Sequence, residues 1–399
     1  MTPEEIELLS QLTIVIPTYN RSLELERAIE YWRDTPVTVH ILDGSDEPCF
    51  PVGILPGAPN ISYHYFEPNE SKVLSAGYKY RIRFAAQLPT TRFSALIGED
   101  DFFVISGLYA SLKVLSESET ICSVTGISVG YENLTHETKW GLRQVEARAS
   151  KNFESSSVSD RLEPQQSGET PIVYYGIFKT ETWKKVFAIS FRYDFSSNLI
   201  GGERLVHANA LALGPLKEIE QVLWLRRFYV ERVNFEDLDL NRRGSYDRYL
   251  RDKENRNEIR DYFGLLAEAI REGSPDWSKK KSMRLATKVL KPGFKTSENG
   301  FKYRLRKKLA RTLVRLGAVV PPRLRLSLNR SMSTKVTKSL GFVEVDQKLK
   351  PALGRQDLNT FLQRLADTEV VYDESEIRNL NELLLKPREE LRLKAKFSC

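Results

Sequence analysis

Short apolar runs alternate with helically spaced apolar residues through the first half of the chain. Residues 12–16 (LTIVI) form a largely apolar run closed by Pro17, the pattern of a buried strand. From Ser22 the apolar positions are Leu25, Ala28, Ile29 and Trp32, one face of a helix that Pro36 stops. Residues 37–42 (VTVHIL) predict a second strand, closed by the turn formers Asp43, Gly44, Ser45 and Asp46. Residues 61–66 predict a third strand and 71–88 a helix. Residues 93–97 (FSALI) predict a fourth strand that runs into Gly98, Glu99, Asp100 and Asp101, before a helix over 105–115. Strands alternating with helices predict an α/β fold on a mostly parallel sheet. Ligands of such sheets sit at the carboxyl ends of the strands, where the polar clusters 18–20, 43–46 and 99–101 fall.

The patterning is lost over residues 139–170, a polar stretch rich in Ser and Glu that predicts a long loop or insertion. It returns at Pro171, with 172–178 strand-like and with 180–186 and 202–213 helical, the last ended by Gly214-Pro215. Residues 219–232 mix aliphatic, aromatic and Arg side chains. Beyond about residue 247 the pattern is helical, broken at Gly273-Ser274-Pro275, Pro292-Gly293 and Pro321-Pro322. The chain therefore divides into an α/β unit, 1–235, and a helical region, 236–399, with no internal repeat.

With 399 residues, 41% apolar and 28% charged, the chain has material for two or three domains, which excludes collagen-like and wholly disordered classes. No run approaches the roughly 18 apolar residues of a membrane span. The acidic start (Glu4, Glu5, Glu7) is unlike a secretory leader. Cys49, Cys122 and Cys399 are far apart and odd in number, which argues against a disulfide framework and fits a reducing cytoplasm. Four scattered histidines give no zinc pattern. The net charge of +7 is uneven. Residues 279–340 hold 19 Lys and Arg against one acid, Glu298, so this segment carries +18 and the remainder −11.

Glu99, Asp100 and Asp101 repel one another, so something must offset their charge. A divalent cation does so most directly, because magnesium and manganese take carboxylate and phosphate oxygens. The alternative is a solvated acidic turn capping the next helix. In the 43–46 turn, Gly44 lets the backbone approach a ligand, and Asp43 can accept hydrogen bonds from ribose hydroxyls or a base N–H. A plain turn is the alternative. Pro17-Thr18-Tyr19-Asn20-Arg21 reads either as a strand end with an Asn cap or as a nucleotide-binding lip with Tyr19 against a base. The dinucleotide fingerprint and the P-loop are both missing.

In order, Ile14-Val15-Ile16-Pro17-Thr18-Tyr19-Asn20-Arg21, a helix, Ile41-Leu42-Asp43-Gly44-Ser45 and Gly98-Glu99-Asp100-Asp101 resemble the family-2 glycosyltransferases of GT-A fold. The nearest likeness is a bacterial branch with ILDGS and DDDFF-like motifs. The resemblance covers residues 12–232 and weakens after 130. It implies a GT-A, Rossmann-like, mostly parallel sheet. It implies a nucleotide held by Pro17, Thr18, Tyr19, Asn20, Arg21, Asp43, Gly44, Ser45 and Asp100. A manganese or magnesium ion on the donor diphosphate would be held by Asp101 and by Glu99, which stands where the family has Asp. A carboxylate base near a helix start matches Glu203, preceded by Gly201-Gly202 and followed one turn on by His207; Asp194 is the second candidate. Tyr174 and Tyr175 could line the acceptor side or pack in the core. Lys217, Arg226 and Arg227 could approach the diphosphate or stay solvated. The implied activity is inverting transfer of a sugar from a nucleotide-sugar donor to a hydroxyl acceptor in bacterial surface polysaccharide assembly. A non-catalytic GT-A-like domain that binds a nucleotide-sugar or glycan is the alternative.

Residues 301–320 carry Lys302, Arg304, Arg306, Lys307, Lys308, Arg311 and Arg315 beside a stripe of Leu305, Leu309, Leu313, Leu316 and Val320. A basic amphipathic helix predicts peripheral binding to an anionic membrane, here the inner face of the cell membrane, where a lipid-linked glycan could be the acceptor. A helix packed on the catalytic unit is the alternative. No zinc finger, helix-turn-helix or RNA-binding pattern accompanies the charge, so nucleic acid is not an expected partner.

Overall fold

The computed structural model describes residues 1–67, 74–133, 138–144, 152–166, 173–193, 199–227, 253–290, 357–368 and 370–393. The first elements are α1 (Pro3–Leu9), β1 (Leu12–Thr18), α2 (Ser22–Trp32), β2 (Thr38–Asp43), β3 (Gly53–Leu55), β4 (Ala58–Tyr65), α3 (Leu74–Ala85), β5 (Phe93–Leu96), β6 (Phe102–Phe103) and α4 (Ile105–Glu117). Then come β7 (Ser123–Asn133), β8 (Thr138–Gln144), α5 (Val158–Gln166), β9 (Ile177–Lys179), α6 (Thr180–Ser190), α7 (Leu199–Leu213) and β10 (Leu216–Arg227). Helices α8 (Arg256–Gly273), α9 (Lys279–Leu290), α10 (Leu358–Ala366) and α11 (Glu374–Leu385) follow.

One ten-stranded sheet runs β3-β4-β2-β1-β5-β9-β7-β10-β6, with β8 on β7. Strands β4, β2, β1 and β5 are parallel, as are β7 and β10. Because β9 is antiparallel to both β5 and β7, those six strands all point one way. The sheet is mixed, mostly parallel and flanked by helices, with a helical region after it.

Every residue of β1 is buried, because both faces of the sheet are covered. Ile14 and Ile16 share a core with Leu25 and Ile29 of α2 and Leu108 and Leu112 of α4. Val15, pointing the other way, joins Ile82, Phe187 and Leu211 from α3, α6 and α7. Helices α8 and α9 extend that second core through Leu266, Ile270, Ala286 and Val289. A third core sets Phe361, Ile377 and Leu380 of α10 and α11 against Tyr131, Trp140 and Leu225 of the sheet.

Several expectations are corrected. The stretch 139–170 is not a plain loop: it holds most of β8 and all of α5. Its apolar residues Trp140, Phe153, Val158 and Leu162 are buried. Buried Arg161 binds the α7 carbonyls of Leu211 (Nε, 2.7 Å) and Ala212 (Nη2, 3.2 Å). Residues 172–178 are not one strand, since 173–176 turn before the short β9. The acidic start is helix α1, whose Thr2 and Glu5 form a reciprocal cap. Asn20 does not cap α2, whose N-cap is Arg21 without a side-chain hydrogen bond. Cys122 is a free thiol and Cys49 is buried. No described helix is long and apolar enough to cross a membrane. The predicted helix over 301–320 lies outside the described residues.

Candidate functional site

The shared strand direction brings the carboxyl ends of β1, β2, β5 and β10 to one edge. There Gly44 N donates to Thr18 O (3.1 Å) and the backbone N of Arg227 donates to Asp101 Oδ1 (2.9 Å). Arg21, from the loop after β1, places Nη1 3.0 Å from Glu99 Oε1 and 2.8 Å from Asp100 Oδ2.

At one end of this edge, Asn20 adopts a left-handed backbone (φ 51°), which Asn tolerates better than most residues. That bend turns its side chain onto the second loop. Asn20 Nδ2 donates to Asp46 Oδ2 (2.8 Å), Asp46 N donates to Asn20 Oδ1 (3.1 Å), and Asn20 N donates to Ser45 Oγ (2.9 Å). Asp43 is fully buried. Its carboxylate accepts from Ser45 N (2.7 Å), Ser45 Oγ and the Tyr63 hydroxyl, so it locks the turn from inside. Pro17 and Thr18 are buried, whereas Tyr19 is 38% exposed and donates to Asp46 Oδ1 at 3.3 Å.

Sequence reasoning missed Arg81 of α3. Its guanidinium lies on Gly44, so close that a Cβ there would fall 1.2 Å from Nη1. Gly44 thus makes room for a cation as well as for a ligand. Arg81 is 5% exposed, its Nε has no hydrogen-bond partner, and it sits within the fields of Tyr78, Asp43 and Glu99. The available signal was a charge directly before an apolar Ile82 on a helix read as amphipathic.

In the middle, Glu99, Asp100 and Asp101 are 7%, 5% and 5% exposed. Burial, and then the neighbouring Asp100, push the Glu99 carboxyl above its ordinary range, while Arg21 opposes the shift. The repulsion taken to require a metal is therefore partly offset by Arg21. No group of three or more potential metal ligands occurs among the described residues. With Glu99 and Asp100 engaged by Arg21, the turn fits a cation shared between Asp101 and phosphate oxygens rather than a cage made by protein alone.

At the far end, Tyr175 lies within the fields of Asp101, Arg226 and Glu203. Asp101 and Glu203 thus both act electrostatically on Tyr175. Glu203 is exposed, and the protein packed around it raises its carboxyl pKa by desolvation against the opposing Arg226. Both glycines before it are helical, and Gly202 accommodates the Phe191 ring, 3.4 Å from where a Cβ would be. The Tyr78 and Tyr174 hydroxyls are hydrogen-bonded. His207 Nδ1 accepts from Val173 N (3.1 Å), which pins the 173–176 turn, and burial lowers its pKa to about 4. Arg227 pairs with Glu24 (2.7 Å) and Lys217 with Glu154 (2.7 Å). Asp194 lies outside the described residues.

No protein-family model and no curated protein sequence matches the chain. Among solved structures, S. aureus TarS 1-349 in complex with UDP is 14% identical, with a TM-score of 0.43, over 93% of this chain and 90% of that one. The mannosyltransferase PcManGT from Pyrobaculum calidifontis in complex with GDP-Man and Mn2+ is 14% identical, with a TM-score of 0.38, over 90% and 88%. A likeness at these scores carries no functional weight, and the reading of the site rests on the residues of this chain.

Proposed function

We propose that the chain is a GT-A-type glycosyltransferase that moves a sugar from a nucleotide-sugar to a hydroxyl acceptor with inversion. The observation that supports this reading is that Asp101, bound by Arg227 N at the end of β10, and Glu203 both act electrostatically on Tyr175. The nucleotide occupies the end built by 17–21, 43–45 and Arg81, with Tyr19 against the base and Asp43 holding the turn in shape. Arg81 and Arg21 meet the diphosphate charge. A magnesium or manganese ion would be held by Asp101, with Glu99 beside it, and when bound would stabilise charge developing on the leaving diphosphate. Glu203 accepts the proton of the acceptor hydroxyl as that oxygen attacks the anomeric carbon and the bond to the diphosphate breaks. A single displacement of this kind inverts the anomeric centre. The raised pKa of Glu203 suits a base.

A role in surface polysaccharide assembly, in the cytoplasm at an anionic membrane face, is part of the same proposal. Helix α9 supports it by exposing Lys279, Lys280, Lys281, Arg284 and Lys288 while burying Ser282, Ala286, Val289 and Leu290. The test is nucleoside diphosphate release from a panel of UDP- and GDP-sugars with manganese or magnesium. Turnover is expected with at least one donor. Glu203→Gln should lower it about 10²–10⁴-fold with donor affinity intact, and Asp101→Asn should weaken both. Donor binding without turnover in the native protein would favour a non-catalytic binder.

A further inference from the structure

Residues 173–176 form a tight turn, closed by Gly176 N donating to Val173 O (2.8 Å). Strand β9 begins at the next residue and runs antiparallel to β5 and β7, so the turn lies at the edge where those two strands end. Because Ala95 faces Ile177 across the β5–β9 ladder, the residues just before Ile177 lie beside those just after Ala95, the stretch that leads into Glu99. Three elements hold this turn. His207 Nδ1 of α7 accepts from Val173 N (3.1 Å). The Tyr174 hydroxyl is hydrogen-bonded to that of Tyr78 on α3. The Tyr175 ring packs on Trp224 of β10, with centres 4.6 Å apart. Gly176 lets the turn sit this close, since a Cβ there would lie 3.0 Å from the carbonyl oxygens of both Val124 and Val173.

His207 stands one helical turn after Glu203, on the same face of α7. Helix α7 meets the body of the protein through Leu205, Val206, Ala208 and Leu211. Apolar packing of this kind has no direction, whereas a hydrogen bond to the sheet edge fixes both the height and the rotation of the helix. With Nδ1 accepting, the His207 ring is neutral and its proton sits on Nε2, so the ring is an anchor and not a proton acceptor. On α3, Tyr78 stands one turn before Arg81, whose guanidinium rests on the Gly44 turn. The 173–176 turn is thus tied to the helix of Glu203 and to the helix of Arg81. We propose that this turn fixes Glu203 relative to the nucleotide end, and that His207 and Tyr78 are the positioning residues that hold it to α7 and α3. The inference rests on the glycosyltransferase reading for what Glu203 does, but the anchoring itself can be measured without turnover.

His207→Leu and His207→Asn separate anchoring from packing, because Leu and Asn have nearly the same shape and only Asn offers an acceptor. Three quantities are measured on the full chain: steady-state rates, affinity for UDP or GDP, and hydrogen exchange of the 173–176 amides. His207→Leu should lower kcat about ten- to a hundred-fold, the scale of a small misplacement of a reacting group, with nucleotide affinity within twofold. Amide exchange at Val173 should quicken in the same variant. His207→Asn should regain most of both the rate and the protection. Tyr78→Phe removes one oxygen and should also lower kcat with nucleotide affinity kept; it serves as the readout if the Leu variant does not fold. Equal kcat in the Leu and Asn variants overturns the proposal. So does a nucleotide affinity that falls in step with kcat, or an unchanged kcat in Tyr78→Phe. If the native protein turns over no donor, the glycosyltransferase reading fails, and hydrogen exchange decides the anchor: faster exchange in the Leu than in the Asn variant upholds it, and equal exchange overturns it.

Discussion

At Gly44 a single added methyl group would fall 1.2 Å from Nη1 of Arg81. The clash is with the far end of a long side chain, which can swing away at little cost to the fold. Gly44→Ala should therefore change stability by about 0.5–1 kcal/mol at most, while moving Arg81 off the turn and weakening UDP several-fold. Thermal unfolding and UDP titration of the same variant separate the two effects. Unchanged UDP affinity would remove Arg81 from the nucleotide site. At this scale the sequence was informative about residue type and silent about direction. Asp43-Gly44-Ser45-Asp46 was legible as a turn after a strand. The inward aim of the Asp43 carboxylate was not, because Tyr63 reaches it from β4. The acids 99–101 were legible as a charge problem, but the Arg21 counter-ion depends on a loop approach that no local pattern encodes.

Strands β2 and β4 carry a pair of half-buried histidines, with His40 Nδ1 3.0 Å from His64 Nε2. One nitrogen must donate and the other accept, so at most one of the two rings can be charged while the contact holds. Burial first, and then His64, lowers His40 from 6.5 to about 4; burial lowers His64 as well. A histidine with a depressed folded pKa must be deprotonated to be in its native setting. Its stabilising effect is complete above the unfolded value near 6.5 and is lost as pH falls toward about 4. His207 acts with the same sign. The unfolding temperature should therefore fall between pH 6.5 and 4, and His40→Asn should fall less steeply than the native chain. Parallel profiles would show that the pair contributes nothing to the acid limb. The strands carrying these residues were legible because their buried positions, such as Val39, Ile41, Ile61 and Tyr63, alternate along the chain. Strand β7 and helix α5 were not, since their polar residues are anchored by partners distant in sequence, such as Arg161 on the end of α7.

The last described residues return to the first half of the chain. Val371 pairs with the backbone of β10, accepting from Val222 N (2.8 Å) and donating to Glu220 O (2.9 Å). Glu376 accepts from Ser106 N (3.0 Å), supplying to α4 a cap that its own N-cap residue, Val104, does not give. Arg388 forms a two-pronged pair with Glu26 of α2, at 2.6 and 2.9 Å, and Glu26 is fully buried. Leu384 of α11, with Glu24, Arg27, Asp100 and Tyr131, lines a small cavity behind the acidic turn. The division read at residues 235–236 follows a change of pattern, and pattern within a single sequence carries no sign of which distant segments meet. Helices α2 and α4 both begin beside the acidic turn, so the returning segment braces the candidate site from behind. A chain ending at residue 356 should lose the third core, expose Trp140 and Leu225 to water, and unfold at a lower temperature with weakened UDP binding. Arg388→Met isolates the ionic part. It removes the two-pronged partner of a buried carboxylate and should cost about 2–4 kcal/mol, below the range for a fully buried pair because Arg388 is one-third exposed. Glu26→Gln in the Arg388→Met background should recover part of that loss, because the buried charge is then gone. A shortened chain that melts cooperatively at the native temperature and binds UDP equally would make the returning segment an accessory rather than a brace.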